Sequence, residues 1–259
     1  PENTIREVKR LVDHGYKEIV LTGIHTGAYG QDLPPGYDLN WLVKEIAKDK
    51  GLERLRISSL DPNEFTPDFI HTLSTLPIIC PHFHISLQSG DDQVLKRMHR
   101  RYTADEFREL VKVLQTKIPH VAITTDVMVG FPGETEEEHH NSMAFVEEMG
   151  FAALHVFKYS PRTGTKAALY SDQLSPQTKE KRSKQMIALG NRLQEQFACS
   201  FLGQTFGVLV EKMTEEGIWE GHTSNYLKVR FPYPKDVRGQ IIPVKLTQYP
   251  GEHLSGEVK

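Results

Sequence analysis

A chain of 259 residues with 38% hydrophobic and 25% charged residues can bury a large core, as one big domain or two. Its formal net charge of -3 excludes attraction of nucleic acid by the average field, so any RNA affinity must rest on a local patch. No apolar run reaches the roughly 18 residues of a membrane span, no signal peptide is expected, and two distant cysteines, Cys80 and Cys199, leave a reducing cytoplasm as the expected compartment.

Pro1 to His14 reads as a helix with Ile5, Val8, Leu11 and Val12 on one face and Gly15 as its stop. Glu18 to Leu21 is a short strand leading into T-G-I-H-T-G-A-Y-G. In a βα repeat a further strand is expected before this first helix. Leu39 to Lys48 is helical, and Leu55 to Leu60 is a strand ending in Ser58, Ser59 and Asp61. Thr66-Pro67 is a capped helix start. His82 to Leu87 is a strand ending at Gln88, Ser89 and Gly90. A short helix follows from Val94 to Met98, and Thr103 with Glu106 makes a capping box before a helix to Lys117.

Ile123 to Glu138, I-T-T-D-V-M-V-G-F-P-G-E-T-E-E-E, is the stretch around which the rest is organised. Its first half alternates and then turns apolar, as a strand entering a core does. Gly130, Pro132 and Gly133 make a tight turn, and Thr135 with Glu138 makes a second capping box. Asp126 and the glycine loop are thereby expected at a strand's C-terminal end, where α/β folds bind ligands. A helix to Met149, a stop at Gly150, a strand Ala153 to Tyr159, the loop S-P-R-T-G-T and a long helix from Ser175-Pro176 to about Phe201 complete the pattern. Alternating strands and helices with short connections predict a parallel barrel or open partial barrel, with five strands here. Its strand ends gather Gly23, His25 and Thr26, Ser58 and Ser59, Gln88 and Ser89, Asp126 and Gly130, and Tyr159 and Arg162 on one face.

After Phe201 the pattern changes. Gly203 to Lys212, Trp219 to His222, Tyr226 to Pro232 and Gly239 to Leu246 read as short strands of a small antiparallel β-barrel. Leu209, Val229, Ile241, Val244 and Leu246 are its expected core. Tyr226, Lys228 and Arg230 fall on alternate positions, hence on one strand face, which suits base stacking and phosphate contact.

The words L-T-G-I-H-T-G-A-Y-G-Q-D-L (21–33), H-I-S-L-Q-S-G-D-D-Q-V-L-K-R-M-H-R-R-Y-T (84–103), T-D-V-M-V-G-F-P-G-E-T (125–135) and H-V-F-K-Y-S-P-R-T-G-T (155–165) resemble the radical S-adenosylmethionine methylthiotransferases that modify transfer RNA. G-I-H-T-G-A-Y-G is most similar to the branch acting on N6-threonylcarbamoyladenosine beside the anticodon. G-Q-T-F-G-V-L-V-E and G-H-T-S-N-Y-L-K-V-R-F resemble the TRAM domain that closes these enzymes and binds transfer RNA. The resemblance implies a partial radical-SAM barrel over residues 1–201, a TRAM-like, OB-like barrel over 202–259, transfer of a methylthio group to carbon 2 of the adenine at position 37, and a cytoplasmic enzyme.

For cofactors the resemblance implies S-adenosylmethionine and two [4Fe-4S] clusters. Gly23 and Ile24 correspond to the loop meeting the cofactor's amino end. Ser59, Gln88, Ser89, Asp126 and Gly130 fall on its ribose- and methionine-facing strand ends. Arg100 or Arg101 is a candidate for its carboxylate, and Tyr159 for the adenine. The residues carry plainer readings beside these: Asp126 as a cap of neighbouring backbone, Gln88 and Ser89 as helix caps, K-R-M-H-R-R as a solvated face. His25 has no second histidine at ligand spacing, and the spacing marks no metal site. The family's C-x-x-x-C-x-x-C cluster motif does not occur among these residues, and in family order it is expected shortly before Pro1. Three closely spaced cysteines there separate an enzyme from a non-catalytic RNA-binding protein with a retained barrel. A sister branch, acting on isopentenyladenosine or on a ribosomal protein, is the nearer rival. The sulfur and electron donors are open.

Overall fold

A computed structural model describes residues 1–23 and 25–258, so Ile24 lies outside the described residues. In chain order it runs α1 (Glu2–Asp13), β1 (Glu18–Leu21), α2 (Leu39–Ile46), β2 (Arg54–Ile57), α3 (Pro67–Thr75), β3 (His82–His84), α4 (Asp92–Arg97), α5 (Ala104–Lys117), β4 (Ala122–Val129), α6 (Glu136–Met149), β5 (Ala153–Lys158) and α7 (Pro176–Cys199). The punctuation acts as its residue types dictate. Thr66, Thr103, Thr135 and Ser175 each accept a backbone N–H at a helix start, with full capping boxes at Thr103 and Thr135. Gly150 ends α6 in the left-handed conformation.

The strands β1 and β2 pair in parallel, as do β3, β4 and β5. Single parallel bridges, Leu55 to Ile79 and Leu60 to Ile85, join the two groups. The five strands therefore lie in sequence order, and the result is a partial (β/α) barrel. β3 is shorter than the expected strand, because beyond His84 the chain keeps only isolated bridges, the last between Gln88 and Val127.

Alternation along each strand sorts residues between two environments. Ile19, Leu55, Ile57, Phe83, Ile85, Ile123, Val127 and Val129 face the helices and share one core with Leu42, Val43, Phe69, Phe107, Val111 and Phe145. Each such side chain contributes about 1.5–3 kcal/mol by leaving water. The opposite parity carries Glu18, Arg54, Arg56, His82, His84, Thr124, Asp126 and His155, and the ladder sets Glu18 opposite Arg54, His84 opposite Thr124 and Asp126 opposite His155.

The tail closes into a five-stranded barrel of β6 (Thr205–Met213), β7 (Trp219–Thr223), β8 (Lys228–Phe231), β9 (Ile241–Gln248) and β10 (Leu254–Val258), in the cyclic order β10-β8-β7-β6-β9. Four of the pairings are antiparallel, and the one that closes the barrel, β10 on β8, is parallel. β10 is a strand the sequence reading did not include. The interior is filled by Val208, Val210, Trp219, Val229, Phe231, Val244, Leu246 and Leu254. Leu209, expected inside, is only partly buried, as is Ile241. In the unbroken apolar run Val208-Leu209-Val210 hydrophobicity cannot choose the face, and the ladder puts both valines inward.

The long helix α7 serves both cores, with Met186, Leu189 and Leu193 in the first and Ala198 in the second. The tail sits under the starting ends of the parallel strands. Arg54 donates to the carbonyls of Gly207 (2.6 Å) and His222 (3.2 Å), and Arg56 donates to that of Ser224 (3.1 Å). Glu18 balances both arginines from within the seam, at 2.8 Å from Arg56 and 3.6 Å from Arg54. Asn225 donates to the carbonyl of His120 across the same seam.

Candidate functional site in the barrel lumen

The inward faces of β1 to β5 border a partly open cavity of about 770 Å³, lined by Val20, Ala122 and Phe157 as well as polar side chains, with tail residues His222, Tyr226 and Lys228 below and Phe197 of α7 at the side. At its centre Asp126 stands between two histidines. Asp126 Oδ1 lies 3.3 Å from His84 Nε2 and 3.2 Å from His155 Nδ1. The two imidazoles stack, with centroids 5.3 Å apart and planes inclined by 25°. His84 Nδ1 is 3.0 Å from the Thr124 hydroxyl. Burial pushes the Asp126 carboxyl up, but hydrogen bonding and charge from His84, then His155, outweigh it and hold the carboxyl below its usual range.

This arrangement corrects the placement expected for Asp126. It lies within β4, three residues before the strand ends at Val129, and points into the lumen. The sequence reading missed His84 and His155. The signal was present in the alternation H-F-H of β3 and A-L-H of β5: a polar residue between apolar neighbours, at the parity that faces away from the helices.

At the floor, Tyr226 does not stand on a strand. It is in the left-handed region (φ 68°) of the turn before β8, where its N–H donates to the Thr223 carbonyl and the Leu227 N–H to the Thr223 hydroxyl. Its ring stacks on His82 (4.7 Å) and His222 (4.6 Å), with the Arg56 guanidinium 4.6 Å from its centroid. Arg230 hydrogen-bonds Glu220 at 2.7 Å, whereas Lys228 is exposed at the cavity edge. The expected strip of Tyr226, Lys228 and Arg230 is thus divided among three environments. His82 is nearly buried here, and burial followed by the Arg56 charge pushes its pKa down to about 3.

At the upper rim Ser59 is exposed and borders the same cavity, and Gly23 is exposed on the loop after β1. Gln88 takes a left-handed conformation (φ 67°), which costs a non-glycine residue about 1 kcal/mol or more. Its backbone donates to the Asp126 carbonyl and accepts from Met128 N–H, both at 2.8 Å. Ser89 is buried and its hydroxyl accepts the Asp91 N–H at 3.2 Å, but the cap of the following helix is Asp91, whose carboxylate accepts the Gln93 and Val94 N–H groups. Gly130 (φ 73°) donates to the buried Glu134 carboxylate at 2.6 Å, and Glu134 is in turn held by Arg182 at 2.7 Å, so the glycine loop is braced from within. Tyr159 packs on Phe131 with centroids 5.2 Å apart, and its buried hydroxyl has no partner among the described residues. Arg100 and Arg101 border a different pocket of about 670 Å³, with His25 and Glu64, which pair at 2.5 Å. The structure therefore does not bring these arginines to Asp126.

Neither cysteine is placed as a cluster ligand. Cys80 is buried, burial pushes its thiol up to about 12, and the other free cysteine, Cys199, lies at the end of α7.

The Radical SAM superfamily profile matches residues 1–146. The chain is 42% identical over 251 residues to the threonylcarbamoyladenosine tRNA methylthiotransferase MtaB of Bacillus subtilis, covering 95% of this chain and 55% of that protein. It is 36% identical over 260 residues to a tRNA-2-methylthio-N(6)-dimethylallyladenosine synthase of Moorella thermoacetica, covering 100% of this chain and 59% of that protein. The chain thus spans a little over half the length of these curated relatives. Among solved structures it is similar to coproporphyrinogen III oxidase (HemN) of Escherichia coli, with a TM-score of 0.55 at 17% identity over 73% of this chain and 44% of that one, which is a likeness of fold.

Proposed function

From the premise that this chain belongs to the radical SAM superfamily, we propose that it is the barrel and RNA-facing part of a tRNA methylthiotransferase that acts on N6-threonylcarbamoyladenosine at position 37. A cytoplasmic location and transfer RNA as partner follow from that reading. The similarity to methylthiotransferases of two substrate classes supports the reaction, and the lumen supports the choice between them. His84, Asp126 and His155 line the middle of the cavity with hydrogen-bonding groups. A dimethylallyl group is a hydrocarbon, and packing it against an ionised Asp126 would strip that carboxylate of water without replacement. A threonylcarbamoyl group carries N–H groups, a hydroxyl and a carboxylate that can replace those contacts. Sites built to hydrogen-bond a substituent discriminate strongly against one that cannot.

The superfamily's S-adenosylmethionine, when bound, supplies hydrogen abstraction from an unactivated C–H bond such as carbon 2 of adenine. Ser59 borders the cavity, and Gln88 and Tyr159 lie outside its lining; a strained backbone at Gln88 and an unpartnered buried hydroxyl at Tyr159 are the features that support a cofactor beyond the rim. Gly23, Ser89 and Gly130 would shape its backbone walls. The residues present do not fit a [4Fe-4S] cluster, since two separated cysteines cannot give three thiolates to one iron–sulfur centre. What this chain itself does is hold the adenine's substituent in the lumen, exclude water there and fix the base against the rim.

The test is fluorescence anisotropy with anticodon stem-loops carrying threonylcarbamoyladenosine, dimethylallyladenosine or plain adenosine at position 37. Tightest binding of the first, by about tenfold or more, is expected from one or two retained hydrogen bonds. Equal or tighter binding of the dimethylallyl stem-loop would overturn the choice of substrate.

A further inference from the structure

We infer that His84, Asp126 and His155 form a binding site for one divalent transition-metal ion of the zinc type, open on its remaining side to the lumen cavity. The inference goes beyond the proposed reaction and depends on no substrate.

The donor set is two imidazoles and one carboxylate, which zinc accepts in open, three-ligand sites. All three donor atoms lie within 4.8 Å of one another. The distances suit a metal site as well as a hydrogen-bonded ion pair. A charged N–H donating to a carboxylate settles at about 2.7–2.9 Å, but here both contacts to Asp126 Oδ1 are longer, 3.3 Å from His84 and 3.2 Å from His155. Ligand atoms each about 2.0–2.1 Å from one tetrahedral ion stand roughly 3.3–3.4 Å apart along an edge. The two edges that meet at Asp126 Oδ1, 3.3 and 3.2 Å, are close to that spacing, and the third edge, between the two ring nitrogens, is no longer than 4.8 Å.

One carboxylate oxygen faces two ring nitrogens, and the rings are stacked on each other. A single metal ion can accept a lone pair from all three groups. The Thr124 hydroxyl lies 3.0 Å from His84 Nδ1, the ring nitrogen that faces away from Asp126. It can accept the Nδ1 proton and so fix the tautomer that leaves Nε2 free to ligate, the usual arrangement behind a metal-bound histidine. The register explains why these residues meet: Asp126 is directly opposite His155 on β5, and Thr124 directly opposite His84 on β3. His82, the nearest further histidine on β3, is turned to the floor against Tyr226 and is not part of the set.

The experiment uses the whole chain, freed of metal with a chelator and titrated calorimetrically with zinc chloride. One ion per chain with submicromolar affinity is expected. Thr124→Val should weaken binding by roughly 10–100-fold, and His84→Ala and His155→Ala by more. Cobalt(II) in place of zinc should give a visible spectrum without a thiolate charge-transfer band. X-ray absorption of the zinc-loaded unmutated chain should show nitrogen and oxygen neighbours only, with imidazole scattering. Because that measurement needs no variant, a substitution that fails to fold cannot decide the matter. Absence of stoichiometric binding, a sulfur neighbour, or unchanged binding in a folded His84→Ala/His155→Ala chain would overturn the site.

Discussion

In the first barrel most large apolar residues of the strands point outwards to helices, and the charged residues and histidines point inwards to a cavity that Val20, Ala122, Ala153 and Phe157 also line. In the second the apolar residues point inwards and meet at the axis. The parallel strands have helices to cover their outer face, so their core is a shell, exemplified by Phe83 and Phe107. The five-stranded barrel has only its own interior to bury apolar surface in, and Trp219, Phe231 and Val244 fill it. One alternating pattern thus yields a barrel that can work inside and a barrel that can work only outside. The lumen can hold His84, Asp126 and His155 because stability is secured on the other face of the same strands.

The largest expected effects break the comparison at its core residues. Phe83→Ala and Phe231→Ala should each cost about 3–5 kcal/mol, since both rings are fully buried. His84→Ala, one residue from Phe83 but on the lumen face, should cost less than about 1 kcal/mol. Urea denaturation of the three variants checks this. A loss at His84 as large as that at Phe83 would mean that the lumen is part of the core.

A smaller effect sharpens the comparison at the seam, where the two barrels meet on His82. In the folded chain its pKa is lowered to about 3, first by burial and then by the charges of Arg56, His84, His222 and His155. In the unfolded chain the ordinary value is near 6.5. Between these values the unfolded state binds a proton that the folded state refuses, so stability falls as pH drops from about 6.5 towards 3, by at most roughly 1.4 kcal/mol per pH unit from this group. Above pH 7 His82 is neutral in both states and contributes no slope. His82→Gln should flatten the decline, although His139, lowered to about 4 chiefly by burial, keeps part of it. Thermal melts from pH 4 to 8 measure the difference. An unaltered slope in the variant would show His82 open to water in solution.

Much of the fold was legible because its punctuation is local. Thr103 with Glu106, Thr135 with Glu138 and Gly150 act through neighbours three or four residues away. The site was legible only in part because its members meet through register. His84 and His155 reach Asp126 from sequence separations of 42 and 29, read directly from their numbers, and no spacing rule marks them. Parity did mark them as lumen residues, but only once the helices were known to cover the other face. Tyr226 was misplaced because a left-handed turn and a strand start look alike in N-Y-L-K-V when no glycine marks the turn. The seam was invisible for the same reason as the site: Arg54 and Arg56 read as an alternating strand, and their carbonyl partners lie 153 and 168 residues away.

The smallest expected effect concerns what the outside of the second barrel can do. A binding strip of Tyr226, Lys228 and Arg230 would require all three to face one solvent-exposed side. The Tyr226 ring already packs on His82, His222 and Arg56, although the residue stays half exposed, so a stacking base has to share it with them. Arg230 is neutralised by Glu220, whose carboxylate burial pushes up but whose pairing with Arg230 and Lys212 holds it charged and below its usual range. Lys228 has no ion-pair partner among the described residues and borders the cavity mouth. A phosphate contact is worth about one unit of the logarithmic salt slope. On the proposed reading that this chain binds transfer RNA, Lys228→Ala should therefore lower the salt slope of that binding by about one unit, and Arg230→Ala by less than about half of that. Filter binding over a salt series separates the two. Equal losses would mean that RNA pulls Arg230 away from Glu220, and the outside of the second barrel would then present a wider cationic surface than the unbound chain displays.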